Sequence, residues 1–462
     1  MILRILSALL AASPAFSHAA VTAKISGASS KTSGDAGGDT RFSGSAGIDS
    51  SSFFYKSDSR GVSSTTVEAT VLMKRDSTIF HSEGDLSLYA FVTNTPSIGV
   101  ESREFYVRTR PGLLGSLALT AGRKIVPWSK LDGTWRMMSL WSPRWTWDEL
   151  HPQVVGLTGV FVSYSTSNLK ATLFASPVSI PERGTPVSEQ DGNIVSSNPF
   201  WKPLPATIKV LGADAPVRYN LIVPPMQDIL FRPNFAARVR MDLDSGFFLS
   251  ANSGVLPIHM VQMAAEPFLS TSGSVSTLNV NIRPQFPMRN INTVESGFED
   301  PDHAWNVWAS GSYEQPFHFQ NQDTWLNPVI TPATILGAGA GAALGRDVRV
   351  EASVLSVKED PFTVSSKLPN VTVQLPSRFP LKRGFQLAGK WQVSDLTGSA
   401  LTLIQDVVQS NRFLSFELNH SIPASALTIG GGMDVLLAKT TQGWVGNYAG
   451  DDRVRGWLKY AF

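Results

Sequence analysis

The stretch that decides the fold is the last ten residues, Arg453-Val454-Arg455-Gly456-Trp457-Leu458-Lys459-Tyr460-Ala461-Phe462. Side chains of a β-strand alternate between two faces. Val454, Gly456, Leu458, Tyr460 and Phe462 therefore share one face, and Arg453, Arg455, Trp457, Lys459 and Ala461 share the other. One face is apolar and ends in aromatics; the other is basic. A strand of about ten residues with that split suits a barrel wall that has lipid outside and water inside. The bland alternative is an amphipathic edge strand of a soluble sheet.

The terminal strand resembles the last strand of bacterial outer-membrane β-barrels, which finish on a terminal Phe. That resemblance implies a bacterial outer-membrane location, contact with outer-membrane lipid and lipopolysaccharide, and recognition by the barrel-assembly machinery through the strand ending in Phe462. The opposite end of the chain agrees. Met1 to Ala19 reads as a secretory signal peptide: Arg4 gives the positive start, Ile5 to Phe16 the apolar stretch, and Ser17-His18-Ala19 the small residues of a cleavage site. Residues 20–39 are rich in Ser, Gly and Thr and read as a flexible periplasmic tail or a weak first strand. Residues 40–462 then form a single transmembrane barrel.

Composition narrows the class. The chain of 462 residues has no cysteine and 16% charged residues, against about 25% in a soluble domain. Lack of cysteine removes a disulfide framework and a thiolate metal site. Mean hydropathy is -0.00, yet beyond the signal peptide no apolar run reaches the roughly eighteen residues of a membrane helix. Hydrophobicity is spread through the chain in alternation, as a membrane barrel requires. A net charge of +2 gives no case for nucleic acid as a partner.

Alternating runs recur: Val67 to Lys74, Phe105 to Arg110, Phe235 to Leu243, Trp305 to Tyr313 and Phe385 to Val393. Short turns fall near 111–115, 165–168, 244–246, 345–347, 395–399 and 422–425. Long connections fall near 124–152, 177–232, 254–274, 314–332, 357–381 and 438–452. The expectation is an all-β, antiparallel transmembrane barrel of about eighteen strands, with long extracellular loops and short periplasmic turns. Sixteen is the alternative count, because the segments 40–49, 275–284 and 400–410 are weak, and 285–302 is left as a long periplasmic turn. A propeller would show a repeat of about 40 to 50 residues, and none is present.

The faces assign charges to the lumen. Arg108, Arg110, Arg238, Arg240, Arg349, Lys390, Arg453, Arg455 and Lys459, with Lys74, are expected to point inward, against Glu68, Glu104, Asp242, Glu351, Glu417 and Asp434. A basic wall favours anions, unless pairs such as Arg108–Glu104 and Arg349–Glu351 neutralise one another.

One connection is dense in tryptophan. It runs from Gly122-Arg123-Lys124 through Trp128, Asp132 and Trp135 to Trp141, Arg144, Trp145, Trp147 and Asp148, and so holds five of the chain's 12 tryptophans. Its Gly-Arg-Lys step followed by Trp resembles a Gly-Arg-Gln…Trp-Gly pattern of porin-like and polysaccharide-export barrels, with Lys124 and Ser129 standing where those carry Gln and Gly. Three roles fit the aromatics: packing the loop into the lumen as a constriction or plug, an interfacial belt, or contact with a sugar-like ligand. The segment 177–232 is too rich in proline for a central strand and reads as an ordered or in-folded loop.

Catalysis has little footing. His81, His151, His259, His303, His318 and His420 form no zinc spacing, and Gly337-Ala338-Gly339-Ala340-Gly341 lacks the Lys-Ser/Thr of a phosphate loop. No enzyme activity, cofactor or metal is expected. The chain reads as a pore for a hydrophilic, anionic solute, with two rivals: an export conduit for a polymer working with periplasmic partners, and a plugged barrel anchoring an envelope complex.

Overall fold

The computed structural model describes residues 22–23, 39–53, 63–91, 97–184, 186–196, 198, 200–210, 213–272, 275–302, 304–317, 325–360, 363–365 and 378–461. The signal-peptide reading, the greater part of the 20–39 segment and Phe462 lie outside them, as do His303 and His318.

Eighteen antiparallel strands close into one barrel. They are β1 (Asp39–Phe53), β2 (Ser63–Asp76), β3 (Phe80–Phe91), β4 (Ser97–Glu101 continued by Phe105–Thr109), β5 (Leu117–Lys124), β6 (Leu157–Ser165), β7 (Leu169–Ser176), β8 (Asn234–Asp242) and β9 (Phe247–Pro257). The second half comprises β10 (Met288–Glu299), β11 (Trp305–Pro316), β12 (Ala333–Leu344), β13 (Val348–Glu359), β14 (Arg383–Ser394), β15 (Thr397–Asp406), β16 (Asn411–Ser421), β17 (Leu427–Leu437) and β18 (Arg453–Ala461). Each strand pairs with the next. The circle closes where β1 runs antiparallel to β18, from Ser45 opposite Ala461 to Phe53 opposite Arg453. The two segments of β4 both pair with β3 and flank a break at residues 102–104. Thr22–Ala23 adds a short rung beside the seam, opposite Gly47 and Ala46 of β1.

The alternation seen in sequence is the alternation of the wall. Val71, Leu86, Leu119, Val239, Leu249 and Val454 are large apolar side chains left exposed on the outside, an arrangement stable only against hydrocarbon. Aromatic pairs edge this band at the short-turn end: Phe298 stacks on Trp305 at 4.5 Å and meets Phe247 at 5.1 Å. Among the described residues no helix is long and apolar enough to cross a membrane. The strands do the crossing.

The ends differ. The connections at 77–79, 166–168, 243–246, 300–304, 345–347 and 395–396 are tight turns. The other end carries the segments 125–156, 177–233, 258–287 and 438–452. By the usual asymmetry the tight turns are periplasmic and the long segments extracellular.

The structure corrects the strand assignment in one region. Val275–Gln285 is no part of the barrel. It pairs with Gln262–Ser272 in a hairpin above the wall, and it runs parallel to Ala213–Leu221 of the preceding long loop. The supposed turn 285–302 is instead strand β10, paired over its whole length with β9 and β11. Residues 40–49 and Thr397–Asp406 are barrel strands. The weak reading of 275–284 has a physical cause: Asn279, Asn281 and Thr277 alternate with Leu278, Val280 and Ile282 as in any half-buried strand.

Candidate functional site: the in-folded loop and the barrel lumen

The loop 125–156 turns into the barrel and packs there. Its first turn is a short helix, Lys130–Thr134, capped by Ser129, whose hydroxyl accepts from the Asp132 amide at 3.0 Å. A 3-10 turn follows at Arg136–Met138 and ends at Ser139, which holds a left-handed φ of 49°. The Asp132 carboxylate accepts the amides of Leu140 and Trp141 at 3.1 and 3.2 Å. Asp132 thus ties the loop's two halves together. Burial pushes its carboxyl up to about 6, against the pull of those two amides.

Trp128, Trp135 and Trp141 have 1%, 0% and 0% of their surface exposed. With Leu131 and Leu140 they form one apolar cluster with wall residues Phe161, Phe174, Ile291, Ile335, Leu355 and Phe413. Trp128 stacks on Trp141 at 5.2 Å. The wall is cut to receive them. A Cβ at Gly337 would stand 2.4 Å from the Leu131 side chain, and one at Gly384 would stand 2.8 Å from the Trp135 ring. These two inward glycines are recesses for the loop, which accounts for part of the Gly337–Gly341 run. An interfacial belt is therefore excluded for these three tryptophans.

Polar bonds fasten the loop to one sector of the wall. Asn252 of β9 donates to the Trp128 carbonyl at 2.8 Å. Glu295 of β10 accepts the Lys130 amide at 2.6 Å, Lys130 Nζ pairs with Glu299 at 2.6 Å, and Trp141 Nε1 donates to Thr293 at 3.0 Å. Arg289 of β10 is buried; it donates to the carbonyls of Ser139 and Leu140 and pairs with Glu314 of β11, which also holds Arg378. His259, from the next loop, meets the Trp141 carbonyl at 3.1 Å; burial pushes it down to about 3, so it is neutral.

The far end of the loop is held by a second sector. Asp434 of β17 accepts from Arg453 at 2.7 Å and Arg455 at 3.0 Å, and meets His151 Nε2 at 3.0 Å. Arg453 also donates to Asp148 at 2.6 Å. Burial would raise the Asp148 carboxyl, but Arg453 and the cations beside it draw it below its ordinary value. The loop 438–452 comes in over this sector. Trp444 Nε1 donates to the Glu149 carbonyl at 3.2 Å, and Asn411 clasps the loop by accepting from the Lys439 amide at 2.7 Å. Burial pushes the Glu149 carboxyl up to about 7. Phe200, from the long proline-rich loop, sits over Arg453 at 5.1 Å.

The residues singled out from sequence divide. Trp145 and Trp147 leave the main cluster and pack on Tyr89 of β3, at 4.7 and 6.4 Å. Arg144 pairs with Glu182 of the neighbouring loop at 3.0 Å rather than with the wall. Arg240 bridges Asp242 and Glu299 at 2.6 and 2.8 Å, and Arg349 meets Glu351 at 3.0 Å. Arg455 reaches Glu417 at 2.7 Å. Glu104 lies in the break of β4 and accepts the Ile125 amide at 2.8 Å, not Arg108. Arg110 falls one residue past β4, in a periplasmic turn. Arg108, Arg238, Lys390 and Lys459 share the inner face of their strands and, among the described residues, form no ion pair; Lys124 lies over the Tyr106 ring at 5.2 Å. No group of residues that could hold a metal occurs among those described.

Sequence reasoning missed Arg289, Glu295, Glu314 and Arg378. The signal for the first two was present, since Arg289, Ile291, Thr293 and Glu295 alternate with Asn290, Asn292, Val294 and Ser296. Outward asparagines broke the apolar pattern that marks a lipid-facing strand.

The closed wall, outward apolar band and unequal ends define a transmembrane β-barrel of the bacterial outer membrane. Its eighteen strands and in-folded loop make it porin-like. No protein-family model matches the chain, and no curated protein does. Solved structures similar to it include OmpT, an outer membrane protein of Vibrio cholerae, at 10% identity and a TM-score of 0.40, covering 93% of this chain and 98% of that one. Acinetobacter baumannii OccAB4 is similar at 8% identity and a TM-score of 0.44, with 91% and 97% covered. Pseudomonas aeruginosa OccK11 (OpdR) is similar at 9% identity and a TM-score of 0.47, with 91% and 95% covered.

Proposed function

We propose that the chain is an outer-membrane channel for small hydrophilic solutes, in which the loop 125–156 sets the passage and the lumen wall favours anions. The observation that carries this reading is the position of the loop inside an eighteen-stranded wall, fastened to β9–β11 on one side and β17–β18 on another. Barrels of sixteen to eighteen strands are wide enough for an aqueous channel, so what fills the middle decides what crosses. The anion preference follows from charges left over after pairing. Arg108, Arg238, Lys390 and Lys459 form no ion pair among the described residues, although Glu295, Asp242 and Glu299 lie near enough to Arg238 to offset it in part, and basic groups on a pore wall lower the barrier for anions. No covalent step enters the transport.

A plugged barrel is the second reading, and the apolar seal favours it. Trp128, Trp135 and Trp141 pack as a protein interior does, and water does not cross such a cluster unless the loop moves. The two readings part on conductance in planar bilayers under a salt gradient. Steps with a reversal potential of anion sign support the channel. Folded protein that passes no current under any voltage supports the plug.

A further inference from the structure

The outer rim of the barrel carries a basic patch at the extracellular ends of β13 to β16. Lys358 is the next-to-last residue of β13, Arg383 the first of β14 and Arg412 the second of β16. Their strand neighbours fix their direction. Val357, Gly384 and Phe413 face the lumen, where the first and last join the apolar cluster and Gly384 backs the Trp135 ring. Lys358, Arg383 and Arg412 therefore face outward, and all three are exposed. Further down the same faces lie Val354, Leu387 and Leu418, 52%, 40% and 41% exposed, with Ser356, Phe385, Leu414 and Phe416 between. The basic groups thus sit where the hydrocarbon band ends and the polar layer of the outer leaflet begins.

Their register brings them together. Arg383 is level with Ser356 of β13, two residues below Lys358. On its other side the Val407 amide donates to the Arg383 carbonyl at 2.9 Å, and Arg412 stands opposite Gln405, whose side-chain carbonyl it meets at 2.5 Å. Neighbouring strands are about 4.8 Å apart, so Arg383 and Arg412 have backbones roughly 10 Å apart, within the span of two guanidinium side chains. The adjacent acids are turned away: Glu359 holds Arg378 inside at 3.2 Å, and Asp406 is buried and accepts the amides of Val408 and Gln409. Asp360 is the exposed acid on this stretch. The connection between β15 and β16, residues 407–410, is the shortest described at the extracellular end, so no long loop rises from the middle of the patch.

We infer that this patch binds the phosphate groups of an anionic glycolipid headgroup in the outer leaflet. Arginine and lysine recognise phosphate through charge-assisted hydrogen bonds, and long basic side chains at a membrane boundary extend from the apolar layer into the polar one. None of the three forms an ion pair among the described residues, so each is available. The apolar strip beneath supplies the surface for the acyl chains of the same molecule. The partner is thus a lipid carrying both phosphate and acyl chains, not a soluble anion, and the patch is separate from the lumen.

The test uses the full chain, folded in detergent and confirmed by its shifted mobility on unheated gels. Native mass spectrometry then reads retention of bisphosphorylated lipid A against dephosphorylated lipid A, with inorganic pyrophosphate as competitor. The wild-type chain is expected to retain the phosphorylated lipid preferentially. The triple variant Lys358→Gln, Arg383→Gln, Arg412→Gln is expected to lose about tenfold or more in apparent affinity, as three surface charges near a headgroup imply, and to treat both lipids alike. The charge-preserving variant Arg383→Lys, Arg412→Lys keeps most of the retention, which separates charge from fold. Equal retention by wild type and triple variant overturns the inference. So does displacement of the lipid by equimolar pyrophosphate, which would mark a site for soluble anions.

Discussion

Single side chains decide whether the loop stays in the lumen. Arg289 is buried between Glu314 and two loop carbonyls. Removing it leaves Glu314 with Arg378 as its counter-charge and takes the donor from two buried loop carbonyls, and breaking a buried pair costs up to about 3–5 kcal/mol. Arg289→Ala should therefore lower the guanidinium unfolding midpoint of the detergent-folded barrel and expose the loop; an unchanged midpoint would show that the set is not coupled to stability. Gly337 and Gly384 test the fit from the wall side. Gly337→Val places a side chain where Leu131 now lies, and overpacking of this kind costs about 1–3 kcal/mol. The expected outcome is faster tryptic cleavage at Lys130 and Arg136, read on gels, with the barrel intact. These residues were only partly legible beforehand. The tryptophans announced a packed loop, but a receiving glycine looks in sequence like any small wall residue, and Arg289 lay in a segment whose outward Asn290 and Asn292 hid the strand.

At the scale of the element, the loop 125–156 responds to pH through groups of opposite sign. Glu149 titrates at about 7 in the docked loop against its ordinary 4.5. Between those values the folded form holds a proton that the released form has lost, so docking weakens as pH rises from about 4.5 to 7. Asp132 acts in the same direction from 3.8 to about 6. His259 acts oppositely: held neutral down to about 3, it strengthens docking as pH rises toward 6.5. Asp148 lies below its usual value and weakens docking only in stronger acid, below 3.8. Glu149→Gln removes one falling contribution and leaves the rest. The variant should gain loop protection relative to wild type as pH rises from 4.5 to 7, measured by proteolysis or by hydrogen exchange at 138–150. Parallel pH profiles would show that Glu149 does not govern docking of the loop. The existence of this element could be read from its Trp content and its place between two alternating runs. Its depth could not, because the partners on β10, β11, β17 and β18 are far away in sequence and only the closed barrel brings them to it.

For the whole molecule, the alternation of period two carried most of the architecture. The terminal strand and the short turns follow from it, because a lipid-facing side chain must be apolar while its neighbour need not be; the count of eighteen comes out the same with Val275–Gln285 standing in for Met288–Glu299. It failed where a strand lay outside the membrane, at Val275–Gln285, and where a wall strand turned polar side chains outward, at Met288–Glu299. Charge was legible as residue type but not as net effect. Arg240, Arg453 and Arg455 are held by acids that sequence could not pair with them, whereas Arg108 and Arg238 form no ion pair among the described residues. Arg108→Gln with Arg238→Gln should shift the reversal potential toward cations without changing the folded fraction. Control of passage by the in-folded loop is read from single-channel conductance of the wild type beside a variant in which residues 129–150 are replaced by a short Gly-Ser linker. The wild type is expected to show small steps and the deletion steps several-fold larger, both anion-favouring. Equal conductance in the two folded proteins would contradict that control.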